Sequence, residues 1–320
     1  MKKAKIISVQ AKKGGAGKSE TSLNLAYGLA SRGKKVLTVD FDPQANLTDI
    51  LLGRDHKLSQ QGAEEFLARF EELREGGQQD FLAAYQALGE FVKKSSFEYD
   101  INKVILKKCD IKDAILKTRV EGLDLVPADN ELSTADIELK SQMNPANRLR
   151  IALKKVESEY DYIIIDNQPF ENALTYNSMS ACYKEGDLIL VPIKINRGGL
   201  IGTYDSLTTC LKWLEEYEPL PFDIKLLVTM KNKNNIDNRW VESLKTAFGD
   251  FMFETVIPYQ AKPVEEASIH QKVLLENDKS LKSNVAQRYN QLVEEILNML
   301  FGNIATLHLS YGRMKARDKR

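Results

Sequence analysis

Lys12-Lys13-Gly14-Gly15-Ala16-Gly17-Lys18-Ser19 is the stretch from which the fold can be read. The run before it, Ile6-Ile7-Ser8-Val9-Gln10-Ala11, has the composition of a buried strand; after it, Leu23, Leu25, Ala26, Leu29 and Ala30 mark an amphipathic helix. A strand, a glycine-rich turn and a helix start together form a phosphate cradle. The glycines let backbone N–H groups converge on an anion, and the helix N-terminus adds partial positive charge. Lys18 is placed to reach the β- and γ-phosphates of a nucleotide, and the Ser19 hydroxyl to ligate Mg²⁺. The alternative, a plain basic glycine turn, does not account for the aspartate-rich turn that comes next in the chain.

Lys12 stands where the usual P-loop has glycine, so the loop is a variant carrying a second lysine, Lys13, just before the glycine pair. The run Lys34-Lys35-Val36-Leu37-Thr38-Val39-Asp40-Phe41-Asp42-Pro43-Gln44 then reads as a second buried strand ending in an Asp-x-Asp-Pro-Gln turn. Further on, Tyr162-Ile163-Ile164-Ile165-Asp166 reads as a Walker B strand that delivers a carboxylate to a Mg²⁺ shell. Together these segments resemble the ParA family of deviant Walker-type ATPases, which segregate plasmids and chromosomes. The resemblance runs, with one interruption, from about residue 4 to residue 300, and is to the form with no helix-turn-helix before the P-loop.

That resemblance implies ATP and Mg²⁺ as cofactors, hydrolysis to ADP and phosphate, and a homodimer in the ATP state. It also implies binding to nonspecific DNA and a centromere-binding partner that stimulates hydrolysis. By the same resemblance Gly14, Gly15, Ala16, Gly17, Lys18, Ser19 and Glu20 hold the nucleotide, and Lys13 crosses to the partner's nucleotide as an arginine finger would. Asp42 orients or deprotonates the attacking water, Ser19 and Asp166 belong to the metal shell, and Asp40 supports that shell through a water. Met230, Pro258 and Gln260 fall where relatives hold the adenine, although ordinary core packing explains Met230 equally well. Arg197, Lys231, Lys233 and Arg239, with the tail Arg313, Lys315, Arg317, Lys319 and Arg320, are the candidates for DNA; singly, each reads better as a solvated surface charge.

Two departures from the family pattern stand out. Relatives place Thr or Ser after Ser19, with its hydroxyl near the α-phosphate, whereas this chain has Glu20, expected to turn away from phosphate. Asn167-Gln168-Pro169 keeps one of the two prolines that usually come after the Walker B aspartate.

Short apolar runs alternate with helical patterns, the rhythm of a doubly wound, mostly parallel α/β sheet. Strands are expected at Lys5–Ala11, Lys35–Asp40, Leu123–Pro127, Tyr162–Asp166, Leu188–Ile193, Lys225–Thr229 and Glu254–Pro258. The 320 residues suit one large domain. Residues 54–105 interrupt the family pattern. There Phe66, Leu67, Phe70 and Leu73, then Phe81, Leu82, Tyr85, Leu88, Phe91 and Val92, give a helical hairpin broken at Gly76-Gly77 and expected on the sheet's flank.

With 45 basic and 45 acidic residues, any nucleic-acid affinity must come from a local patch. Cys109, Cys182 and Cys210 have no metal-ligand spacing, which argues against an iron–sulfur relative. The charged N-terminus leads straight into a strand, so no signal peptide is expected, and no run is long enough to span a bilayer; a cytoplasmic protein is expected, and the ParA resemblance implies association with the nucleoid.

Three alternatives stay open. Leu297-Asn298-Met299-Leu300-Phe301 before the basic tail (residues 311–320) suggests a membrane-surface ATPase of the MinD kind, against which Asp42-Pro43-Gln44 has the ParA form. A ParA-like ATPase that positions other cargo would share the same chemistry. A metabolic enzyme using the same P-loop has no acceptor-substrate motif to support it.

Overall fold

The computed structural model describes residues 3–53, 60–93, 97–216 and 222–299. Its centre is a seven-stranded sheet built from β1 (Lys5–Val9), β2 (Val36–Phe41), β3 (Leu116–Lys117), β4 (Leu123–Val126), β5 (Tyr162–Asn167), β6 (Leu188–Lys194) and β7 (Asp223–Thr229), in the order β3-β4-β2-β5-β1-β6-β7. Every pairing is parallel except the short antiparallel contact of β3 with β4 at one edge. The fold is therefore a doubly wound α/β sheet.

The strands read as continuous apolar runs because both faces are covered. Ile163 and Ile165 of β5 face one core with Leu37, Val39 and Phe41 of β2, while Tyr162 and Ile164 face the opposite core with Leu23, Leu25 and Leu29 of helix Lys18–Ala30. Each fully buried leucine contributes roughly 1.5–3 kcal/mol relative to exposure. Helix Lys18–Ala30 packs closely on helix Asn284–Leu297 because Gly28 has no side chain; a Cβ there would lie 2.5 Å from Val293 Cγ2.

One expected strand does not form. Residues 254–258 run beside β7, where the Ile257 amide donates to the Val228 carbonyl, but no continuous ladder forms, only isolated parallel bridges of Met252 with Leu226 and of Pro258 with Lys231. The cause is local. Glu295 of the last helix takes the amides of Glu254 and Thr255 at 2.7 and 3.0 Å, so they are lost to the ladder, and Pro258 has no amide to donate.

The inserted segment forms helices Gln60–Glu75 and Asp80–Lys93, joined through Gly77 in a left-handed conformation (φ 91°). They pack mainly on each other, through an edge-to-face Phe66–Phe91 pair and a forked Arg69–Glu90 ion pair, and touch the sheet's helices only slightly. The expectation that the hairpin lies on the sheet's flank is thus corrected. Phe81, Leu82, Tyr85 and Leu88 remain exposed because no element of the described body reaches them. Helix Ile101–Ile105 returns the chain to the core, where Ile101 and Ile105 are fully buried.

Cys182 and Cys210 are buried free thiols and Cys109 is half-buried. Among the described residues no helix is long and apolar enough to cross a membrane.

Candidate nucleotide site

β1, β2 and β5 lie side by side, so their carboxyl ends bring the P-loop, the Asp40–Asp42 turn and Asp166 to one edge of the sheet, where ligands bind in such folds. Gly15 and Gly17 are left-handed (φ 71° and 80°), and Gly17 caps the helix that begins at Lys18. A Cβ on Gly14 or Gly15 would meet nothing within 4 Å, so the loop surrounds open space of the kind a phosphate fills. Its far side is pinned by Thr229, whose hydroxyl donates to the carbonyls of Ala16 at 2.8 Å and Ile193 at 3.3 Å.

Lys18 is buried at the base of this cradle. Burial lowers its pKa, while the nearby Asp166 and Asp42 act in the opposite direction. Asp166 is fully buried, and desolvation raises its carboxyl to about 6. Ser22 Oγ donates to its Oδ1 at 2.8 Å, and the Ser19 hydroxyl is near enough to favour its charged form. Its Oδ2 is buried without a hydrogen-bond donor of good geometry among the described residues. An orphaned carboxylate oxygen beside a serine hydroxyl at the end of a phosphate cradle fits a Mg²⁺ shell, coordinated directly or through water.

Asp40 is also fully buried, and desolvation followed by the charge of Asp166 raises it to about 8. Both of its oxygens are engaged: Oδ2 accepts from the Thr48 amide at 2.8 Å and hydroxyl at 2.7 Å, and Oδ1 from the Asp42 amide at 3.3 Å. Asp40 therefore shapes the turn that presents Asp42. Asp42 Oδ1 accepts from the Gln44 amide at 3.0 Å, and Ala45 closes the turn at φ 53°.

Lys13 is exposed, and its side chain lies across the start of helix Arg197–Glu216. Its Cβ sits where a side chain on Gly202 would be, 2.6 Å from the ideal position, and its Cε is 3.3 Å from that of Gly198. Lys12 is held elsewhere, by an ion pair to Glu171.

Glu20 is held one turn along its own helix. Asn24 Nδ2 donates to its Oε1 at 2.6 Å, and burial raises its pKa against that hydrogen bond. Glu20 borders a cavity of about 350 Å³ whose other walls include Met230, Pro258, Gln260, Val264 and Tyr289. The three residues expected around the adenine thus meet in one cavity beside the P-loop. Met230 is left-handed (φ 51°) with its Cε 3.6 Å from a Cβ built on Gly17, and Gln260 Oε1 accepts from the Val285 amide at 2.7 Å.

Arg197, Lys233 and Arg239 are exposed and form no ion pair among the described residues, and Lys231 is half-buried with its ammonium on the Asn232 carbonyl at 3.2 Å. The basic tail lies outside the described residues.

Sequence reasoning missed Thr229, Thr48 and Ser22, which fix the loop and the two buried aspartates, and Val264 and Tyr289 of the cavity. Only Thr48 carried a signal, its place a few residues beyond the Asp-rich turn.

An AAA domain family model matches residues 4–219. The chain is 30% identical over 294 residues to the sporulation initiation inhibitor protein Soj of Bacillus subtilis, covering 91% of this chain and 98% of Soj. The chain belongs to the Soj/ParA family. It is also 28% identical over 298 residues to the chromosome partitioning protein ParA of Caulobacter vibrioides, covering 92% of this chain and 94% of that one. The fold matches that of a putative plasmid partition protein from Borrelia burgdorferi solved with AMPPNP, with TM-score 0.62, 23% identity, and coverage of 92% of this chain and 98% of that chain. The variant P-loop and the Asp42 turn are thus those of a Soj/ParA-family P-loop ATPase.

Proposed function

We propose that this ParA-family chain is a DNA-partition ATPase that dimerises on ATP, binds DNA without sequence preference, and lets go when a centromere-binding partner stimulates hydrolysis. The observation that carries the reading is the meeting of Lys18, Asp42 and Asp166 at the carboxyl ends of β1, β2 and β5, with exposed Lys13 at the rim.

Phosphoryl transfer to water needs charge neutralisation and an aligned nucleophile more than covalent work by the protein. Lys18 and the N–H groups of the loop hold the β- and γ-phosphates, and Ser19 and Asp166 are the residues that would hold Mg²⁺. When bound, that ion neutralises phosphate charge. Asp42 accepts a hydrogen bond from the attacking water and takes its proton as the water oxygen bonds to the γ-phosphorus. The bond to the β–γ bridging oxygen breaks, and ADP and phosphate leave. Lys13 reaches the partner's nucleotide, which joins catalysis to dimerisation. Arg197, Lys233 and Arg239, doubled in the dimer, supply the cationic surface for DNA.

Sedimentation velocity tests the first half of this cycle. The expected result is a dimer with ATP and Mg²⁺, most clearly in Asp42→Ala, and a monomer with ADP or no nucleotide. A single species under all conditions would overturn it.

A further inference from the structure

Glu20 stands where the phosphate cradle meets the 350 Å³ cavity, and the hydrolytic step does not use it. It lies in the first turn of helix Lys18–Ala30, directly after Ser19. Asn24 fixes it: its Nδ2 donates to Glu20 Oε1 at 2.6 Å, and its Oδ1 accepts from the Leu275 amide at 3.0 Å. The second oxygen, Oε2, accepts from no donor among the described residues.

The cavity's charged lining consists of Glu20 and Glu265, with no lysine or arginine. The open Glu20 oxygen is an acceptor and the acidic lining disfavours an anion, so this cavity suits a neutral group that brings donors. A nucleotide with its phosphates at Gly14–Ser19 and its base against Met230 and Pro258 has one such group between the two ends, the ribose with its hydroxyls.

We propose that the Glu20 carboxylate accepts a hydrogen bond from a ribose hydroxyl and makes this site select ribonucleotides over deoxyribonucleotides. The inference rests on the nucleotide reading of the site and adds a specificity-determining residue to it. Asn24 is the positioning residue, since it holds one oxygen and so aims the other.

Calorimetric binding of ATP, 2′-deoxy-ATP and 3′-deoxy-ATP, each with Mg²⁺, to the full chain, Glu20→Gln and Glu20→Ala tests this. Loss of the hydrogen bond to Glu20 is expected to make at least one deoxy analogue about tenfold weaker than ATP for the unaltered chain. Glu20→Ala is expected to bind all three within about threefold, with Glu20→Gln between, and circular dichroism melting checks that each variant is folded. Equal binding of the three nucleotides by the unaltered chain, or an undiminished preference in Glu20→Ala, would overturn the inference while leaving the nucleotide site standing. No nucleotide binding by the folded, unaltered chain would overturn both, and so is distinguishable.

Discussion

Asp40 and Asp166 are register partners on the neighbouring parallel strands β2 and β5, and both are fully buried. Burial raises both carboxyls above the ordinary range, and the charge of Asp166 raises Asp40 further. The arrangement is costly without a cation and makes sense beside one.

A pH dependence results, and its sign is opposite to that of a salt-bridged acid. Each folded-state pKa is raised, so the native state holds protons that the unfolded chain has lost. Stability from this pair is fully present below the ordinary carboxylate range and falls as pH rises towards about 8, where Asp40 finally ionises. Asp40→Asn removes one of the two charges, so without magnesium it is expected to gain stability progressively relative to the unaltered chain as pH rises from about 4 to about 8. Urea denaturation at a series of pH values reads this. A constant difference across the range would refute the electrostatic coupling.

Asp42→Ala is expected to slow hydrolysis by about 10²–10⁴-fold, the range for removing a positioned base, while ATP affinity stays within a few-fold. Lys18→Ala should do the reverse and abolish tight binding. Single-turnover hydrolysis together with equilibrium binding separates the two. Equal loss of binding in both variants would remove the distinct role given to Asp42.

The glycines at the start of helix Arg197–Glu216 should differ in effect. A Cβ on Gly199 would lie 2.0 Å from the Lys194 carbonyl oxygen, a backbone atom that cannot step aside, so Gly199→Ala is expected to cost about 3 kcal/mol despite alanine's better helix propensity. Gly202→Ala would put its Cβ 2.6 Å from Lys13 Cβ, which no rotamer change can move, so the exposed loop carrying Lys13 has to shift; a smaller loss of stability than for Gly199→Ala is expected, together with lowered ATP-dependent dimerisation. Thermal melts and sedimentation on both variants check this; similar melting losses would contradict it.

Phe81→Ser and Tyr85→Ser alter side chains that are 80% and 71% exposed, so each is expected to change stability by less than about 0.5 kcal/mol. Phe66→Ala removes the ring that packs on Phe91 and should cost about 2 kcal/mol within the hairpin. Hydrogen exchange across residues 60–93 distinguishes these outcomes. Strong protection lost on Phe81→Ser would show a packing partner for the stripe.

Much of the site was legible because its chemistry is local in sequence. The P-loop, the Asp40–Asp42 turn and Asp166 each sit at the end of an apolar run, and parallel pairing brings such ends together. What stayed hidden depends on contacts between distant residues. Thr229 holds Ala16 from 213 positions away, and no short motif announces that. Residues 254–258 have strand composition, yet a glutamate 40 positions on takes two of their amides. The outward stripe of the hairpin carries the same periodicity as a buried one, so pattern alone assigned it to the sheet. The two-residue strand β3 is too short to show any alternation.

Nucleotide-gated DNA binding is tested most directly with labelled nonspecific DNA in the presence of ATP, ADP or no nucleotide, beside Lys18→Ala, across a salt series and with anionic liposomes as a parallel surface. The expected result is DNA binding only with ATP and Mg²⁺, lost in Lys18→Ala, and weakened about a thousandfold between 50 and 200 mM salt if about six phosphates are contacted. DNA binding that ignores the nucleotide, or ATP-dependent binding to liposomes and not to DNA, would contradict it.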